Sequence, residues 1–155
     1  MSGPGSAIGD ATGDATATTL DESDANPPLF LLEHEFGIDI YEATPEAILR
    51  IGETDDSHWV VAMADSDDPI ETTVTVSDGR KAVSSETVGL SRTSYVALVL
   101  RDPVANTVRL EWGENHEWSR SVPTRLIDCN SSNDSLLVDP DGDVERTGET
   151  TNQDC

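Results

Sequence analysis

The chain has 155 residues, 31 acidic against nine basic, for a formal charge of −22. That length holds one domain plus tails, because single domains run to roughly 100 to 150 residues. The charge argues against nucleic acid and anionic membrane surfaces as partners: both call for a basic stripe, and no basic cluster here is longer than Arg80-Lys81.

Eight of the nine basic residues are Arg, and Lys81 is the only lysine. Such an imbalance destabilises a compact state by self-repulsion in dilute buffer. At molar salt the Debye length falls to about 3 Å, and the carboxylates remain as a hydrated, soluble surface. The composition therefore fits a halophilic setting. No apolar run reaches the roughly 18 residues of a membrane span, so no direct membrane insertion is expected.

Residues 1–28 form a Gly/Ala/Thr/Asp-rich leader with almost nothing to bury and no basic residue. It is expected to be disordered and to act as a spacer. From Leu29 the period changes to two, with Phe36, Ile38 and Ile40 alternating against Gly37, Asp39 and Tyr41. That rhythm predicts a strand with one buried face. Ala47 to Ile51 reads as a strand, although Thr44-Pro45 ahead of it also suits a short helix. Trp59 to Ala64 (WVVAMA) is a buried strand by its continuous apolar character.

Ile70 to Val76 puts Ile70, Thr72, Val74 and Val76 on one face, and Asp78-Gly79 then supplies hairpin turn chemistry. Lys81 to Ser84 is the return arm and Glu86 to Leu90 a further strand. Tyr95 to Leu100 (YVALVL) is apolar on both faces and should be central. Thr107 to Trp112 alternates again, His116 to Val122 follows a turn, and short strands are expected at Arg125 to Ile127 and Leu136 to Val138. Eight to ten strands with frequent turns predict an all-β, antiparallel sandwich over 29–138, followed by a turn and tail over 139–155.

The stretch TTVTVSDGRKAVSSETVGLSRTSYVALVLRDPVANTVRLEWG has the rhythm strand, Asp-Gly turn, Thr-Val-x-Leu edge, apolar strand, hairpin. It resembles the immunoglobulin-like domains of haloarchaeal secreted and surface proteins, over about residues 58–129. The resemblance implies an immunoglobulin-like fold, an extracellular or cell-surface location, and a structural or binding role toward a protein or cell-surface glycan. It brings no catalytic residues.

Cys129 and Cys155 allow one pairing. Closing that loop would stabilise by about 3.5 kcal/mol in the chain-entropy model, and a disulfide clasp on the tail is the expectation, against two free thiols in a reducing compartment. Asn130-Ser131-Ser132 and Asn133-Asp134-Ser135 are acceptor patterns for N-glycosylation. With the cysteines they favour an outside location.

Asp139, Asp141 and Asp143 stand at the alternate spacing by which calcium loops aim oxygens at one cation. Val144 and Thr150 break the EF-hand pattern, and a Pro-Asp-Gly turn explains the segment more simply. His34-Glu35 and His116-Glu117 miss the zinc-protease spacing, because Ile38 and Arg120 occupy the second histidine position. His58 stands before Trp59 as a polar strand-end residue. Trp112 packs inward by its alternation with Leu110, whereas Trp118 could reach the surface and stack on a sugar or partner. No catalytic signature or cofactor motif is present, so a non-enzymatic role is expected. The alternative is an intracellular or viral protein that self-assembles through β edges.

Overall fold

The computed structural model describes residues 17–20, 27–52, 57–78, 81–101, 106–127 and 132–150. The strands are β1 (Ala17–Thr19), β2 (Thr44–Ile51), β3 (His58–Ala64), β4 (Ile70–Asp78), β5 (Lys81–Leu90), β6 (Ser94–Leu100), β7 (Asn106–Trp112), β8 (His116–Val122), β9 (Ser132–Val138) and β10 (Val144–Thr150). One helix, α1 (Phe30–Phe36), and a 3-10 turn at Thr124–Leu126 complete the described elements.

The strands form two sheets, ordered β1-β2-β6-β3-β9-β10 and β5-β4-β7-β8. Alternate residues of each meet between them. Leu49, Val60, Leu98 and Leu136 of the larger sheet pack with Val74, Leu90, Leu110 and Trp112 of the smaller in one apolar core. This is the all-β sandwich expected from the period-two rhythm. The smaller sheet is wholly antiparallel, but β2 runs parallel to β6 and β3 parallel to β9. The expected purely antiparallel arrangement is therefore corrected to one mixed and one antiparallel sheet. Periodicity along a strand reports its faces, and carries nothing about the direction of its neighbour.

A second apolar cluster lies on the outer face of the larger sheet, where Leu32 and Ile38 cover Ile48, Val61, Met63, Tyr95, Ala97 and Leu137. This explains why YVALVL and WVVAMA are apolar on both faces. It also corrects the strand expected around Phe36, Ile38 and Ile40. The segment is a seven-residue helix followed by a loop, with Pro27-Pro28 ahead of it and Gly37 at its end in the left-handed region at φ 70°. Gly37 N–H donates to the Glu33 carbonyl and Ile38 N–H to that of Leu32. A glycine there avoids the Cβ penalty of positive φ.

Four further differences are local. Lys81 to Leu90 is one continuous strand, with a register shift opposite Val76/Ser77. The strand expected at Arg125 to Ile127 is the 3-10 turn. The tail expected over 139–155 contains β10, which pairs antiparallel with β9, and the leader contains β1, which pairs with β2.

Candidate functional site

Even-numbered residues of β9 face the sandwich interior, as Leu136 and Val138 show, so Ser132 and Asp134 point inward too. His58 begins β3 in phase with Val60, Arg120 lies on β8 in phase with Val122, and Arg146 on β10 in phase with Val144. The strand parity thus gathers five polar side chains at one end of the core.

Asp134 is the hub and is only 1% exposed. One carboxylate oxygen, Oδ1, accepts from Arg120 Nη1 at 3.2 Å and from Arg146 Nε at 2.8 Å and Nη2 at 2.6 Å. The other, Oδ2, lies 2.9 Å from His58 Nε2. His58 Nδ1 lies 2.6 Å from Ser132 Oγ, and the Ser132 hydroxyl donates to the Leu126 carbonyl at 2.8 Å. Burial pushes the Asp134 carboxyl up, but the hydrogen bond and charge of His58, with the charges of Arg120 and Arg146, outweigh it and hold the group below the usual carboxylate range. Because β8 belongs to one sheet and β9 and β10 to the other, the cluster is an ionic brace across the sandwich.

Ser132, His58 and Asp134 repeat the residue types of a hydrolytic triad, so the geometry has to be weighed. All three are buried, which denies a substrate carbonyl any approach to the hydroxyl. The single Ser132 proton is engaged by the Leu126 carbonyl rather than directed to His58, the reverse of an activated nucleophile. The arrangement supplies cohesion between sheets.

A second inter-sheet contact sits where the β7–β8 and β9–β10 turns meet. Trp112 Nε1 donates to the Asp139 carbonyl at 3.0 Å, and the His116 ring lies beside Trp112 with centroids 5.8 Å apart. Gly113 and Gly142, at φ 64° and 108°, let the turns close against that ring. A Cβ on Gly142 would fall 2.7 Å from His116 Nδ1.

The remaining expected residues fall as follows. Asp139 Oδ1 accepts from the Asp141 amide at 2.9 Å, and the Asp139 amide donates to the Asp143 carbonyl. The Asp139 carboxylate and the main chain shape a turn, and among the described residues no group of three acidic, His or Cys side chains is placed to hold a metal ion. Trp118 is on the inward face of β8, opposite Leu110, and packs partly buried on the main core. Asn133 is 7% exposed inside β9, so its side chain offers little to a modifying enzyme acting on the folded chain. Asn130, Cys129 and Cys155 lie outside the described residues. His34 is exposed beside Glu35.

A cavity of about 570 Å³ lies beside the loop after α1 and is lined by Asp39, Glu42, Asp65, Glu145 and Arg92 among others. Arg92 donates from Nε to Asp65 at 2.8 Å, and that bond and charge raise its pKa. Among the described residues no helix is long and apolar enough to cross a membrane.

The sheets and brace define a two-sheet β-sandwich held by an internal ionic cluster. No family model and no curated protein matches the chain. Among solved structures, one described as the membrane-binding domain of pneumolysin aligns with 63% of this chain and 99% of that one, at 13% identity and a TM-score of 0.30. A likeness that weak carries no argument about fold or function.

Proposed function

We propose that the chain is a non-catalytic structural or binding module, carried outside the cell of a halophilic archaeon and resembling immunoglobulin-like sandwiches. The observation that carries this reading is the use of the buried polar groups. His58, Ser132 and Asp134 are buried and, with the partly exposed Arg120 and Arg146, join the sheets, and the acidic surface is left for contact with solvent and partner. A protein or a surface glycan is the partner class that an exposed, strongly hydrated sandwich suits.

The test is the intact mass of protein purified from its native host in molar salt, before and after alkylation without reductant. An unalkylated monomer lighter by the two hydrogens of one disulfide supports an oxidising compartment and a Cys129–Cys155 clasp. Added mass matching a glycan, mapped to Asn130, supports it further. Two alkylated thiols would overturn the outside location.

A second reading rests on the edges of the sheets. Among the described residues, strands β1, β5, β8 and β10 end their sheets, and unpaired edges invite addition of another chain. An intracellular or viral self-assembling protein would then show free thiols and oligomers by light scattering at high salt, whereas a monomer would count against it.

A further inference from the structure

Strands β8 and β10 are the edges of the two sheets on the same side of the sandwich, and their inward arginines flank one opening. Here a cavity of about 230 Å³ is lined by His58, Arg120, Asn133, Asp134, Arg146 and Gly148, together with Leu126. We infer that this cleft is a binding site for a small oxyanion, a phosphate or carboxylate group held between the guanidinium groups of Arg120 and Arg146.

Charge and donor geometry carry the inference. Two guanidinium groups converge on one Asp134 oxygen and the His58 ring faces the other, so positive charge exceeds negative among the described side chains of the cluster. Each guanidinium has five N–H donors in a fixed fork. Arg120 gives Asp134 one nitrogen and Arg146 gives it two, so donors remain on both. The side chains are 28% and 40% exposed, so those donors reach the cleft, while the 1% exposed Asp134 fixes their position from behind. Arginines pinned by a buried acid lose less freedom when they take up a ligand, and fork-to-oxygen contact is the geometry they favour.

One further detail supports the site. A Cβ on Gly148 would lie 3.3 Å from both Arg146 Nη2 and Asp134 Oδ1, so glycine there keeps the floor of the cleft open. The overall charge of −22 would repel an anion in dilute buffer, but at molar salt that repulsion is confined to about 3 Å. Contact hydrogen bonds then decide binding, and they distinguish an oxyanion from chloride.

The experiment is calorimetric titration of inorganic phosphate into the full chain at fixed ionic strength in molar KCl. Saturable one-to-one binding is expected, weakened at least tenfold in Arg120→Lys, which keeps the charge and loses the fork. The exposed control Arg109→Lys should bind as the parent does. Arg146→Lys is the second variant should Arg120→Lys lose its native circular dichroism. No saturable binding, or equal affinity in the parent and a folded Arg→Lys variant, overturns the site. Acetate run in parallel names the source: comparable affinity assigns it to carboxylates such as acidic side chains of a partner, and preference for phosphate assigns it to phosphate groups. Either outcome supports the oxyanion site, wherever in or outside the cell the chain resides.

Discussion

Asp134→Asn perturbs the brace with almost no change of shape. The amide keeps one acceptor oxygen and puts an NH2 group against donors at the other position, facing either His58 Nε2 or the two guanidinium groups. Removing one partner of a buried ion pair costs about 3 to 5 kcal/mol, mostly through charge left uncompensated. Arg120 and Arg146 are 28% and 40% exposed and recover part of their hydration, which places the loss near the lower end, about 3 kcal/mol. For a domain of this size that lowers the melting midpoint by roughly 10 °C. The assay is urea unfolding at fixed molar KCl, followed by tryptophan fluorescence, since Trp112 is buried between the sheets. Arg109→Gln, which breaks the exposed Arg109–Glu117 pair, should cost no more than about 0.5 kcal/mol. If Asp134→Asn also costs less than about 1 kcal/mol, the cluster is not the brace described, and the argument from burial fails.

The same carboxyl sets a pH dependence. Its folded value is held below the ordinary one, so its contribution is complete above about pH 4 and is lost as the pH falls through the depressed folded value. The stability gap between parent and Asp134→Asn should shrink below pH 4, and a gap constant down to pH 2 would refute this. Gly148→Ala should destabilise by about 1 to 3 kcal/mol through overpacking, because the added Cβ meets the Asn133 carbonyl oxygen at 2.9 Å. A gain in urea midpoint, the ordinary result of removing a strand glycine, would count against that contact. Trp118→Ala should cost about 2 to 3 kcal/mol, short of a fully buried tryptophan, since Trp118 is only partly buried on the core. An unchanged urea midpoint would return Trp118 to the surface.

Much of the fold was legible because period-two patterning reflects a physical two-sidedness. Val74 and Val76, or Val108, Leu110 and Trp112, face the core as their alternation predicts. The helix at Phe30–Phe36 was missed because seven residues give barely two turns of pattern, while Phe36, Ile38 and Ile40 mimic a strand. The flanking Pro27-Pro28 and Gly37 were the signal. The brace was hidden for another reason. Its members come from β3, β8, β9 and β10, and only folding brings them together. A clue existed, since Asp134 shares the parity of Leu136 and Val138, and a carboxylate on a buried face requires a partner. Strand β10 escaped because VERTGET has the polar character of an edge.

The order of the larger sheet has a consequence for how the chain emerges during synthesis. Strands β2 and β3 are successive in sequence yet separated in space by β6, which pairs with both, and β9 then joins the far side of β3. The His58–Ser132 contact alone spans 74 residues. Until β6 leaves the ribosome, β2 and β3 have no hydrogen-bonding partner on their facing edges, and β3 waits longer still for β9. Distant pairings of this kind fold slowly and leave sticky edges open meanwhile. A chain truncated after β5 would hold the apolar strands of the larger sheet without the strand that unites them, and should aggregate rather than form a half-domain.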